Sequence, residues 1–283
     1  MLSLRLPALL ALLCLPLLSA GESLVYPLHS SGTDPEAYVV ELLREALIKS
    51  GAGHTLQPSM RDMPQSRAQQ SLEHNDGTIH VMWCMTTRER EQALLPVRLP
   101  IYKGLIGWRV ALVRQSERDR LKDVRTLADL KPLQIGQRGD WPDTAILRSN
   151  GLQVVTSQSY DSLFRMLDAK RFDVFPREVV VAWNEQTVAK AQGLDLAVDE
   201  HIALHYPSAF YFFTSRERTD LAADIERGLE TMIRDGSFDR LFESHHGQAI
   251  RQAQLGRRHV IELENPDLPP LTPFARKELW YHP

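Results

Sequence analysis

The chain has 283 residues, 43% of them hydrophobic and 24% charged, with 15 Gly and 17 Pro, which excludes disordered, collagen-like and low-complexity chains and leaves room for one large or two modest domains. Lys and Arg number 33 against 36 acidic residues, so the formal charge of -3 supplies no basic field for a phosphate backbone and argues against a nucleic-acid partner. Two cysteines cannot build a disulfide-dense scaffold, and what is left is a core-forming α/β or α+β protein.

The first twenty residues stand apart. Arg5 precedes an uncharged, Leu-rich run from Leu6 to Leu18 that ends in Leu18-Ser19-Ala20. Spanning ~30 Å of hydrocarbon takes about 20 residues, so this run is too short to cross a membrane and reads as a secretory signal peptide cleaved after Ala20. Cys14 follows Leu12-Leu13, where a lipoprotein site carries a small residue, so lipidation is not expected. Cleavage leaves Cys84 as the single cysteine, inside the apolar run Ile79 to Met85, where a thiol serves as a small hydrophobe. No later stretch approaches transmembrane length, and the expected location is the periplasm.

From there short apolar runs alternate with amphipathic patterns, the rhythm of βα units around largely parallel sheets. Leu24 to Tyr26 reads as a strand. Val39, Leu42, Leu43, Ala46 and Leu47 recur at helical spacing, and Ser50-Gly51 stops that helix. Thr55 to Gln57 reads as a strand, Met63 to Leu72 as a helix, and Ile79 to Trp83 as a strand after the Asp76-Gly77 turn. A second series follows: strand Val110 to Val113, a short helix from Asp123 to Leu130, and strand Leu133 to Gly136. Next comes a helix with Asp140 as its cap and Pro142 in its first turn. Strand Val154-Val155, a helix striped by Leu163, Phe164 and Leu167, strand Phe172 to Phe175, a helix from about Glu178 and a strand near Leu194 to Val198 complete it. Ala209 to Phe213 is strand-like, Leu221 to Ile233 and Phe238 to Phe242 read as helices broken at Asp235-Gly236, and the Pro-rich residues after Gly256 form an irregular tail packed on the body.

No Gly-x-Ser-x-Gly elbow, Walker loop, His-Glu-x-x-His or Gly-x-Gly-x-x-Gly occurs in the mature chain, so neither catalysis nor a cofactor is expected. His201 and His205 have helix-compatible metal spacing but fall in extended chain without Cys or acidic partners, and no metal site is expected. His245-His246 diverge on a helix and read as solvated. The informative segment is Trp83-Cys84-Met85-Thr86-Thr87-Arg88-Glu89-Arg90-Glu91. A strand ending in hydroxyls and arginines places those groups at the carboxyl edge of a sheet, where ligand crevices form and an Arg can hold a carboxylate at two points. The simpler reading is a surface ion-pair cluster.

In this segment the chain resembles the bacterial periplasmic solute-binding proteins of family 3, the polar amino-acid binders of ABC importers. Thr86-Thr87-Arg88-Glu89-Arg90 resembles the family's Thr-x-x-Arg, Leu99-Pro100-Ile101-Tyr102 its Phe-Ser-x-Pro-Tyr, and Thr126 to Lys131 its Leu-x-Asp-Leu-Lys-Gly. Ile135 to Gly139 resembles its Val-Gly-x-x-x-Gly, and Asp235 to Leu241 its Asp-Gly-Thr-Tyr-x-x-Leu. The resemblance covers about residues 24–245 and implies a periplasmic binding protein-like type 2 α/β fold. Its two lobes would each hold a central, mostly parallel sheet flanked by helices: residues 21–108 plus 207–255 in one, 109–206 in the other, and 256–283 as the tail.

The same resemblance implies a monomer that closes on a small polar, amino-acid-like solute for an ABC permease. Arg90 would take the ligand's α-carboxylate, Glu178 its α-amino group, and Trp141 the corresponding second-lobe position. Thr87 and Arg177 complete the polar set. Tyr26, Trp83 and Trp141 could sandwich a planar or cationic ligand, or be ordinary packing groups. Trp83-Cys84-Met85 in place of small hydroxyls, Trp141-Pro142 in place of Thr-Thr, and Arg177 beside the carboxylate make the cleft bulkier and differently charged, as in a divergent subgroup with its own ligand. The alternatives are a sensory binding protein without transport, or an enzyme on the same fold resembling lytic transglycosylases or dehydratases.

Overall fold

The computed structural model describes residues 21–28 and 36–283, so the expected signal peptide and Cys14 lie outside the described residues. Val39, Leu42, Leu43, Ala46 and Leu47 form one buried face of helix α1 (Glu36–Ser50). Burying a Val or Leu side chain contributes about 1.5–3 kcal/mol, and that burial holds the helix in place. Gly51 ends it at φ 74, a left-handed position that favours a residue without Cβ. Helix α8 (Thr219–Arg234) lies so close to α1 that a Cβ on Gly228 would stand 1.8 Å from the Ala46 carbonyl oxygen.

Strands β1 (Ser23–Leu28) and β2 (Thr55–Asp62) pair in parallel, and helix α2 (Gln65–His74) follows. β3 (Val81–Met85) and β4 (Leu95–Val97), joined through helix α3 (Arg88–Ala93), both pair antiparallel with β11 (Phe210–Thr214), which stands between them. In the second group of strands, β5 (Trp108–Arg114) is buried at every position. It pairs antiparallel with β8 (Phe175–Glu178), β9 (Leu196–Val198) and β10 (Ile202–His205). β6 (Gln134–Arg138) pairs in parallel with β7 (Gln153–Ser157) and bridges to Val174. Helices α4 (Leu127–Leu130), α5 (Pro142–Ser149), α6 (Tyr160–Asp168) and α7 (Ala182–Ala191) belong to this group.

The α/β character agrees with the sequence reading, but strand pairing is not mostly parallel: the β3–β11–β4 sheet is antiparallel and the sheet around β5 is mixed. Among the described residues, parallel pairing joins β1 with β2, β6 with β7, and β10 with β12 (His259–Glu262), beside the single parallel bridge of Ile135 with Val174. β10 and β11 lie on the return leg of the chain, and each runs opposite the strands it rejoins.

Several local expectations are corrected. Glu178 does not open a helix: it ends β8 in register with Arg109, and α7 begins at Ala182. Asp140 does not cap α5. It pairs with Arg138 at 2.7 Å, Trp141 takes the cap position, and Pro142 opens the helix as expected. The helix expected over Phe238 to Phe242 continues as α9 (Ser237–Ala253), on which His246 is buried rather than solvated, its ring 4.4 Å from that of Tyr38. The residues after Gly256 are not wholly irregular, since β12 pairs along the outer edge of β10. Beyond β12, Asn265 donates to the Pro207 carbonyl at 2.9 Å, the Asp267 carbonyl accepts from the Arg88 N–H at 3.3 Å, and the Tyr281 N–H donates to the Lys103 carbonyl at 2.7 Å. The Trp280 ring lies on Gly104, where a Cβ would meet it at 2.6 Å.

Candidate functional site

The expected site residues fall into three groups. Tyr26 on β1 and Trp83 on β3 place their rings 5.6 Å apart. Trp83 is 5% exposed, faces Phe212 across the strand pair and belongs to the core, so packing accounts for most of its surface.

The second group is the turn from β3 into α3. Thr87 has extended dihedrals, and its hydroxyl accepts the Arg90 N–H at 3.1 Å, capping the helix. Arg90 is buried, with Nη1 donating to the Met85 carbonyl and Nη2 to Gln65 Oε1, both at 2.6 Å. Glu91 bonds the Thr86 hydroxyl at 2.8 Å and pairs with Arg98 at 2.6 Å. Arg90 is therefore not part of a surface ion-pair cluster: it is anchored inward by neutral acceptors, with no carboxylate paired to it among the described residues. Burial pushes the adjacent Cys84 up and favours its neutral thiol form.

The third group is the densest. The β5–β8 register sets Arg109 opposite Glu178, and their side chains form an ion pair at 2.5 Å. Arg109 also pairs with Asp143 in the first turn of α5 at 2.7 Å, and the Tyr206 hydroxyl donates to the same carboxylate. Arg177 lies 3.0 Å from Glu178 and grips Glu185 of α7 at both oxygens, at 2.6 and 2.7 Å, while the Tyr160 hydroxyl donates to Glu185 at 2.5 Å. The Arg177 guanidinium stands 4.9 Å from the centroid of Trp141 and 5.7 Å from that of Tyr160. Burial alone would raise the Glu178 carboxyl, but Arg109 and Arg177 hold it at about 2. Burial, with Glu185 in one case and Asp143 in the other, raises the Tyr160 and Tyr206 hydroxyls, so both remain donors.

The fold thus brings Trp141, Arg177 and Glu178 together, Thr87 and Arg90 together, and Tyr26 and Trp83 together. Arg109, Asp143, Tyr160, Glu185 and Tyr206 were missed. Arg109 left a signal: a lone charge inside the apolar run Trp108 to Val113 must be compensated once buried. Among the described residues, no group of three or more His, Cys, Asp or Glu side chains is arranged to hold a metal ion, and no helix is long and apolar enough to cross a membrane.

No family model and no curated protein matches the chain by sequence. Solved structures do match. An ancestral arginine-binding protein bound to arginine superposes with a TM-score of 0.59 at 16% identity, covering 79% of this chain and 97% of that one. This is the fold of the two-lobed periplasmic binding proteins. A Salmonella typhimurium periplasmic binding protein of high arginine specificity gives 0.58 at 14% identity, covering 80% of this chain and all (100%) of that one. A histidine kinase sensor domain similar to periplasmic binding proteins gives 0.58 at 16% identity, covering 81% and 96%. The type 2 binding-protein fold expected from the motifs is therefore present, at identities that carry the architecture alone.

Proposed function

We propose that the mature chain is an exported solute-binding protein that captures a small polar, amino-acid-like solute between its lobes and presents it to the permease of an ABC importer. The lobes are residues 21–108 plus 207–255 and residues 109–206, with 256–283 as a tail packed on the body. Closure by hinge motion would bring Tyr26, Trp83, Thr87 and Arg90 of one lobe against Trp141, Arg177 and Glu178 of the other. The observation that carries this reading is a fold match spanning nearly the whole length of proteins described as binding arginine.

Local chemistry supports it. Arg90 carries a charge with neutral partners, the arrangement that receives a carboxylate. Around Glu178, two guanidiniums meet three carboxylates, an excess that suits an ammonium group. A sensory role is the second reading, favoured by the likeness to a histidine kinase sensor domain.

The test is mass spectrometry of small molecules released from gently purified protein, with thermal-shift screening of amino acids, polyamines, short peptides and organic acids. A ligand at 100 times its dissociation constant adds about 2.7 kcal/mol of stability. Arg90→Gln and Trp141→Ala are each expected to weaken the ligand found by about tenfold or more, the loss of roughly 1.4 kcal/mol or more. An affinity unchanged in both folded variants rejects the cleft assignment. Genes for a permease and an ATPase beside this one favour transport over sensing.

A further inference from the structure

A cavity of about 600 Å³ opens where β9 and α7 meet the C-terminal end of α9, with Arg118, Trp183, His201, Gln252, Arg257 and Arg258 among its lining residues. That volume falls in the range of about 300–1,000 Å³ typical of small-molecule sites. Arg258 forms part of its wall, its side chain only 4% exposed. Nε donates to the Ala253 carbonyl at 2.6 Å, and Nη1 donates to the carbonyls of Ile202, at 3.1 Å, and Asp199. Nη2 donates to no protein group among the described residues.

The carboxylate nearest this guanidinium does not match it. Asp199 Oδ2 lies 3.9 Å from Nη1 and already accepts the N–H groups of His201 and Ile202, each at 2.9 Å. Burial lowers the Arg258 guanidinium below its ordinary value, and Asp199 and Glu200 offset that only in part. The cavity wall carries three guanidiniums, those of Arg118, Arg257 and Arg258, and two acids, Asp119 and Glu200, with the Asp199 carboxylate buried behind Arg258. His201 also faces Asp119, at 3.6 Å. A buried cation with an unused donor edge, set in the wall of a polar cavity beside two further guanidiniums, is the chemistry that binds an oxyanion.

We propose that this cavity is a second small-molecule site, separate from the Trp141 cluster, which takes a ligand bearing a carboxylate or phosphate group seated on Nη2 of Arg258. The inference does not rest on solute capture between the lobes. Isothermal titration of the whole mature chain with inorganic phosphate and with citrate tests it and distinguishes the two oxyanions. Saturable binding of at least one is expected, with a dissociation constant under about 1 mM.

Arg257→Glu should weaken that binding at least tenfold and Arg258→Gln should abolish it, while Trp141→Ala leaves it unchanged. Arg258 braces three carbonyls; if its replacement prevents folding, Arg257, which is exposed, carries the test alone. No saturable binding of either anion, binding undiminished in Arg257→Glu, or binding lost in Trp141→Ala overturns the proposal.

Discussion

Arg177 stacks on Trp141 at 4.9 Å while its edge holds Glu185 at two points. One guanidinium thereby fixes the ring at the start of α5 and neutralises a carboxylate on α7, two elements that pack on different strands. Removing the cation in Arg177→Leu strands Glu185 in the interior and leaves Glu178 with Arg109 alone. The expected cost is about 3–5 kcal/mol in urea unfolding, the loss that follows breaking a buried pair from one side. Arg177→Lys should recover only part of it, because an ammonium cannot match two oxygens and a ring face together. A loss under about 1 kcal/mol in both variants removes the network from the account of stability.

Glu178 makes stability depend on acid. Its ordinary value is 4.5 and the folded value about 2, so between these the unfolded chain binds the extra proton. Its contribution is complete above about pH 4.5 and is lost as pH falls through about 2, of order 3 kcal/mol in all. Glu178→Gln should be less stable than wild type at pH 6 and converge on it near pH 2. Parallel curves over that window contradict the pairing with Arg109.

His246 acts in a higher window. Burial, aided by His245, lowers its value from 6.5 to about 4, so the folded state keeps the neutral ring. Its contribution is full above about pH 6.5 and declines by about 1.4 kcal/mol per pH unit as pH falls towards 4. Unfolding free energies from urea titrations at pH 7 and pH 5 should differ by about 2 kcal/mol more in wild type than in His246→Phe. Equal differences place the imidazole in water.

Gly228→Ala tests the contact of α1 and α8. The new methyl would sit 1.8 Å from a backbone oxygen that cannot swing aside, so the helices must separate. The expected loss is about 1–3 kcal/mol or more despite the gain in helix propensity, with the lowered midpoint read by circular dichroism. A stabilised variant contradicts the close approach.

The binding-protein architecture was legible because its signals are local and repeated: the α1 stripe, the Asp235-Gly236 break with Gly236 at φ 73, and Pro142 at the first helical position all sit where the pattern put them. The misses share a cause, which is a partner distant in sequence. Glu178 reads as a helix start until Arg109 is set beside it. α9 reads as short because His246 looks polar; counted with Phe242, Ile250 and Ala253 it completes an apolar stripe, and only Tyr38 on α1 shows why the ring is buried. Four-residue β12 has too little alternation to stand out, and its pairing depends on an open edge that composition does not reveal.

That edge has a consequence for the chain as a covalent object. β10 receives its outer neighbour from β12, in register from Ile202 with His259 to His205 with Glu262, only after β11, α8 and α9 have been laid down. An excised piece covering residues 109–206 would present β10 with a bare row of N–H and C=O groups, the template on which copies pair strand to strand and aggregate. In the intact chain, later residues act as an internal chaperone for that edge.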